Sequence, residues 1–293
     1  MRYQQEAIGD WGQMLDTPTI TTSTEELTAA DGCTLFLRGW KTSSPNVLLL
    51  MHGLGAHSGW FIDMGNELAA RGLTVYAMDH RGFGRSKGLS GHIDAYQTFV
   101  NDIGFVLDEI RKRHPDAKLY ILGHSMGGIF ASHFASAHQD KLAGVIFLNP
   151  WVRDGSKVSL GMTLRVLFGG LVKSKRYWTL AGGTEGMTTN PEAARMLGED
   201  TYWRRAETSS FFFQILQMRS AILARARHIT IPALVLQAEQ DKSVIVEASH
   251  DLYNALGSSD KTWLTYPTYA HDSELEADRS QMDNDIVEWI GKH

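Results

Sequence analysis

Short apolar runs separated by longer mixed segments set the rhythm of this chain. "NVLLLMHG" (46–53) is continuously hydrophobic and closes on a glycine. That is the pattern of a parallel strand buried on both faces. "LTVYAMD" (73–79), "KLYILGHS" (118–125), "LAGVIFLNP" (142–150), "IPALVLQA" (231–238) and "KTWLTYP" (261–267) read as further strands. Between them lie segments with apolar residues three and four apart, the spacing of an amphipathic helix. They are "WFIDMGNELAARG", closed by Gly72, "AYQTFVNDIGFVLDEIRKRHP", stopped before Pro115, Met126 to Ala137, "EASHDLYNAL" and "QMDNDIVEWIGK". Near the start, "EELTAADGCTLFLRGW" reads as two strands joined at Asp31-Gly32, a hairpin signal.

Strands alternating with helices predict an α/β fold: a mostly parallel central sheet, helices on both faces, and an antiparallel edge from the hairpin. The alternation breaks after Pro150. Residues 151–205 show no clear strand, and "SSFFFQILQMRSAILARA" (209–226) reads as one helix returning to the core. So long a stretch is not an ordinary loop. The predicted organisation is a lead-in at 1–26, a core at 27–150 and 229–293, and a cap inserted at 151–228. The cap would lie over the carboxyl ends of the strands, where open α/β sheets bind ligands.

Composition narrows the function classes. The 293 residues include 43% hydrophobic and 21% charged positions, ordinary for a globular protein, and the net charge of −5 argues against nucleic-acid binding. One cysteine, Cys33, forbids an intrachain disulfide. The first residues lack a basic start followed by an apolar core, and no apolar run approaches 18 residues, so neither an export signal nor a membrane span is expected. A cytoplasmic location follows as the expectation. HExxH, clustered Cys/His, a nucleotide-binding GxGxxG and GxxxxGK[ST] are all missing, so neither metal nor cofactor is predicted.

One motif carries chemistry. Gly123-His124-Ser125-Met126-Gly127 fits G-x-S-x-G. The pattern alone is weak, but here it ends a buried strand and opens a helix, as a nucleophile elbow requires. The flanking glycines let strand and helix pass closely, and the helix N-terminus offers N–H groups to a developing oxyanion.

"GHSMGG", "HGLGAHSGW" (52–60) and "DHRGFGRSKG" (79–88) together closely resemble the α/β-hydrolase superfamily, and within it the monoacylglycerol lipase/lysophospholipase group, also classed as serine aminopeptidase-like hydrolases. The resemblance covers roughly 27–150 and 230–290 and is weak over the cap. It implies the α/β-hydrolase fold and a triad in the chain order Ser, acid, His. Ser125 would be the nucleophile. His271, in "YPTYAHDSELEADR" after the last strand, would be the base. Asp241 matches the family's acid-x-x-Val spacing after the preceding strand, with Glu239 as the alternative. The oxyanion donors would be the N–H groups of Met126 and, by resemblance, Leu54. His52 is expected to brace its loop, Asp79 and Arg81 to tie down a loop, His57 to be structural, and His124 to point into the scaffold. Trp151 in "NPWVRDG" would border the acyl side of the site.

The expected reaction is hydrolysis of a lipid-like carboxylic ester (monoacylglycerol, lysophospholipid or medium-chain ester) through an acyl-enzyme. Acyl transfer or peptide cleavage on the same triad is the alternative, and a non-catalytic receptor of the same fold is a third class. An amine-recognising site would draw on cap acids such as Glu185, Glu192, Glu199 and Asp200. "SLGMTLRVLFGGLVKSKRYWTLAGG" (159–183) is more apolar than a solvated loop needs. It would line an acyl pocket or, facing outward, touch a membrane peripherally, with Lys173, Lys175 and Arg176 near anionic head groups. Gly169-Gly170 argues against a long helix there.

Overall fold

The computed structural model describes residues 20–155, 160–179 and 185–293; residues 1–19 of the lead-in, and 156–159 and 180–184 of the cap stretch, lie outside the described residues. Its centre is an eight-stranded sheet. The strands are β1 (Thr21–Thr28), β2 (Thr34–Lys41), β3 (Asn46–Met51), β4 (Thr74–Met78), β5 (Lys118–His124), β6 (Gly144–Leu148), β9 (Ala233–Ala238) and β10 (Lys261–Tyr266). Their order is β1-β2-β4-β3-β5-β6-β9-β10. The hairpin strand β2 runs antiparallel to β1 and β4, and every other pair is parallel. Gly32, at φ 81°, makes the hairpin turn. β1 begins at Thr21 and so takes in residues that the sequence pattern assigned to the lead-in.

The apolar runs work because alternate side chains enter opposite layers. Leu49 and Met51 of β3, Ile121 of β5 and Val145 and Phe147 of β6 join one core with α2 (Gln97–Arg113) and α3 (Met126–His138). Leu48, Leu50, Tyr120, Leu122, Ile146 and Leu148 join the other with α1 (Ile62–Ala70) and α9 (Ser280–Lys292). The chain reverses its direction of travel across the sheet at β3, which lies between β4 and β5. The loops leaving β3, β5, β6 and β9 thereby gather at one edge, the usual ligand edge of such a sheet.

Between β6 and β9 stand α4 (Leu160–Leu171), β7 (Tyr177–Thr179), α5 (Pro191–Glu199), β8 (Ala206–Thr208), α6 (Ser209–Ser220) and α7 (Ile222–Ala226). After β9 comes α8 (Val246–Ala255). Two expectations change here. The stretch read as strand-free holds β7, which pairs antiparallel with β8; three residues are too few to leave a periodic signal. The single helix at 209–226 breaks at Ala221 into α6 and α7.

α4 also runs through Gly169-Gly170. A Cβ on Gly169 would lie 2.5 Å from Ser209 Cβ, and one on Gly170 would lie 2.2 Å from Phe213 Cβ. The glycine pair is what lets α4 and α6 pack so closely, and that contact outweighs its poor helix propensity.

Candidate active site

Ser125 occupies the one-residue step between β5 and α3, with φ 51° and ψ −112°. Positive φ is uncommon for a residue with a side chain and costs on the order of 1–3 kcal/mol unless neighbours enforce it. Here they do. Ser125 N–H donates to Leu148 O (3.0 Å), and Ser125 O accepts from Gly128 N and Trp151 N (3.0 Å each). A Cβ on Gly123 would sit 2.2 Å from Gly127 O, and one on Gly127 would sit 2.2 Å from Met51 O. No side chain fits at either position, so the strand and helix close tightly and the serine stands at the step.

His271 follows β10, and Asp241 follows β9. Their loops are bonded together: Glu239 N–H donates to Tyr266 O (3.1 Å) and Gln240 N–H to Tyr269 O (3.0 Å). The structure thus brings three of the anticipated residues into one line. Ser125 Oγ lies 2.9 Å from His271 Nε2, and His271 Nδ1 lies 2.7 Å from Asp241 Oδ2. Asp241 Oδ1 accepts from the N–H groups of Ser243 (2.8 Å) and Val244 (3.0 Å), which explains the acid-x-x-Val spacing. Glu239, the alternative acid, points to solvent and is not part of the line.

The charges are mutually tuned. Burial disfavours the ionised Asp241, but the His271 charge and hydrogen bond and the two backbone donors outweigh it, so the carboxyl titrates below its ordinary 3.8. Burial likewise disfavours protonated His271, yet Asp241, and to a lesser degree Asp272, raise it above 6.5.

The anticipated donors flank the serine. Met126 is the first residue of α3, where a helix has no carbonyl of its own for the N–H. Leu54 lies in the loop after β3, and that loop runs beside the serine: a Cβ on neighbouring Gly53 would be 3.2 Å from Ser125 Cβ. His52 holds this loop, bonding Gly53 O through Nδ1 (2.8 Å) while Nε2 accepts from His80 N–H (3.0 Å). Burial pulls its pKa down to about 4, so it is a neutral brace. Trp151 meets the site through its backbone; its ring packs under Arg219, and its Nε1 donates to Asp154 (2.8 Å).

His124 is buried, as anticipated, with Nε2–H donating to His271 O (3.0 Å). Burial and the nearby His271 push its pKa down to about 3. His124, His271 and Asp272 present ligand atoms within 4.8 Å of one another, the kind of grouping a metal uses. Both His271 nitrogens and His124 Nε2 already make hydrogen bonds, so an ion would have to displace them. Asp79 and Arg81 do tie down loops. Asp79 accepts from Ser58 N–H (2.6 Å) and Arg85 N–H (2.7 Å), and Arg81 pairs with Asp102 through two bonds.

Asn149 is not singled out by the sequence, and Asp200, named there only as a cap acid that could meet an amine, is engaged otherwise. Asn149, at φ 44°, donates from Nδ2 to His271 O (2.6 Å) and accepts from Ala238 N–H at Oδ1 (2.7 Å), joining β6, β9 and the histidine loop. Its signal was only an Asn at a strand end before proline. Asp200 accepts from His57 Nε2 and Trp60 Nε1 (2.8 Å each), fastening the inserted segment to the loop beside the serine. Gly55 O accepts from Arg204 N–H (2.8 Å) in the same seam.

A parallel sheet crossed by helices, with a serine on this elbow in hydrogen-bonded line with histidine and aspartate, is the α/β-hydrolase architecture. The family model for serine aminopeptidase, S33, matches residues 42–278, and the chain belongs to that family. It is 28% identical over 275 residues to the monoglyceride lipase of Mus musculus, covering 90% of this chain and 89% of that one. It is also 28% identical over 278 residues to an uncharacterised abhydrolase domain-containing protein of Dictyostelium discoideum, of which it spans 29%. Among solved structures, the monoacylglycerol lipase of Paleococcus ferrophilus superposes with a TM-score of 0.80 at 24% identity, covering 88% of this chain and 99% of that one.

Proposed function

We propose that this chain hydrolyses carboxylic esters of lipid-like substrates, with monoacylglycerols and lysophospholipids as the leading classes. The observation that carries the reading is the continuous line from Ser125 Oγ through His271 to Asp241. His271 Nε2 takes the hydroxyl proton as Oγ attacks the ester carbonyl, and Asp241 stabilises the resulting imidazolium and fixes the ring's tautomer. The oxyanion forms against the N–H groups of Leu54 and Met126. His271 then returns the proton to the leaving alcohol, and water, activated by the same imidazole, releases the acid from Ser125. The name of the mouse relative supports a monoacylglycerol as substrate.

Residues 151–228 act in this reading as a cap whose outer face meets lipid. On α4, Leu164, Leu167, Phe168 and Leu171 are exposed at helical spacing on one stripe, Phe168 by 70% and Leu171 by 74%. Lys173, Lys175 and Arg176 follow directly. Apolar residues beside cations suit an interface of lipid chains and anionic head groups. Among the described residues no helix is long and apolar enough to cross a membrane.

The test is a p-nitrophenyl ester series together with a 1-monoacylglycerol, using wild type, Ser125→Ala, His271→Ala and the double variant. Each single change should lower kcat by about 10⁴-fold or more, and the double variant should be little worse. Turnover retained in either single variant would sink the assignment, and binding without turnover in wild type would favour a receptor.

A further inference from the structure

A cavity of about 740 Å³ lies between α5 of the inserted segment and the β2–α1 side of the core, and none of Ser125, His271 and Asp241 lines it. Its surface is of two kinds. Phe36, Trp60 and Leu197 line it with Ile62, Met196 and Tyr202, and the last three are 41%, 58% and 46% exposed. Large apolar side chains left open around a concavity mark a ligand surface more often than a solvated one.

The second kind is cationic. Arg38 and Arg85 both line the cavity, and their guanidinium carbons stand 5.7 and 5.1 Å from the centre of the Phe36 ring. Neither has an ion-pair partner among the described residues, and Arg38 Nε is buried with no hydrogen-bond partner. Burial works against the charged form of Arg38; Asp79 offsets this and Arg85 adds to it.

The other ionic groups of the lining are engaged or at the surface. Asp79 is held by Ser58 and Arg85 N–H groups, Asp200 by His57 and Trp60, and Glu276 by Thr189 N–H and Ala270 N–H. Arg279 faces Asp283 at 3.2 Å. Asp63 and Glu192 are exposed. Arg38 is half-buried and Arg85 exposed, and among the described residues neither guanidinium is bonded to a carboxylate, which leaves both able to meet an anion entering the cavity.

We propose that this cavity is a second binding site, for a free fatty acid. The carboxylate accepts from Arg38 and Arg85, a planar pairing that guanidinium favours, and the chain lies along Trp60, Leu197, Met196 and Ile62. The supply of such a ligand rests on the ester-hydrolase reading, since a fatty acid is its product; the site itself rests on the cavity. His57 and Asp200 line the same cavity and bond each other, so an occupant would brace the seam that fastens the inserted segment beside Ser125.

The experiment is calorimetric titration of laurate into enzyme whose Ser125 has been blocked with hexadecylsulfonyl fluoride, the label being read by mass spectrometry. Laurate should bind the blocked protein with one-to-one stoichiometry. Arg38→Gln with Arg85→Gln should weaken it by about tenfold or more, while binding of uncharged 1-dodecanol should hardly change. Should the double variant not fold, Met196→Glu places a charge at an exposed rim position and should weaken laurate by a similar factor. No laurate binding to the blocked protein, or binding indifferent to the arginine and Met196 changes, overturns the site. Failure of the serine to take the label instead counts against the hydrolase reading, and the same titration on Ser125→Ala protein, judged by its arginine dependence, then decides the cavity separately.

Discussion

The chemistry of single residues here is set by opposed environmental terms. In the proposed reaction His271 must be neutral to accept the serine proton, and its surroundings raise its pKa above 6.5. Activity therefore falls as pH decreases, and the acid limb of kcat/KM should centre above 6.5. Asp241→Asn removes the larger of the two charges that raise His271 and leaves burial, the leading cause that lowers it, opposed only by Asp272. The limb should move down, while kcat drops by about 10⁴-fold because the ring loses its enforced tautomer. A pH–rate profile of both proteins checks the two effects, and an unmoved limb would contradict the electrostatic account. Gly127→Ala tests the elbow itself. Its Cβ would meet the backbone oxygen of Met51 at 2.2 Å, where no rotamer gives relief. A loss of about 3 kcal/mol in urea unfolding, with reduced turnover, is expected.

Among the elements, glycine positions separate propensity from packing. Gly198 in α5 has open space where a Cβ would sit, with no neighbouring atom within 4 Å, and its φ is not in the left-handed region. Gly198→Ala should raise stability by about 0.5–1 kcal/mol. Gly170 in α4 has the same intrinsic preference for replacement, yet a Cβ there would strike Phe213 on α6. Gly170→Ala should lower the thermal midpoint despite better propensity, because displacement of α4 costs about 1–3 kcal/mol. A scan of both variants in one buffer gives opposite signs if packing governs α4. The same contrast shows why Gly169-Gly170 weighs against a long helix when read along the sequence: the pair marks a close crossing of two helices, and a crossing partner is invisible along one helix.

Over the whole molecule, the exposed stripe on α4 and the triad edge face different demands, which vesicle binding can separate. Phe168→Asp with Leu171→Asp should reduce sedimentation with anionic lipid vesicles and slow hydrolysis of vesicle-borne monoacylglycerol. Turnover of a soluble p-nitrophenyl ester should stay near wild type. Equal losses on both substrates would show that the stripe supports the site and not a lipid surface.

Much of this molecule was legible in the residue order. Short apolar runs bounded by turn residues fit strands, and helical spacing between them fits crossovers, so the sheet and its helices follow from local periodicity. The elbow serine was legible because a glycine-flanked step from strand to helix is a local backbone requirement. The pairing of Ser125 with His271 and Asp241 came from topology and resemblance together, since 146 residues separate serine and histidine. Other features needed the folded chain. The three-residue strand β7, the stitch made by Asn149, the fastening of His57 by Asp200 and the two arginines beside Phe36, without a carboxylate partner among the described residues, each depend on what a distant segment brings alongside. Periodicity and turn chemistry act over a few neighbours and are written along the sequence; hydrogen-bond partners and unbalanced charge are set across space, and tertiary structure alone decides them.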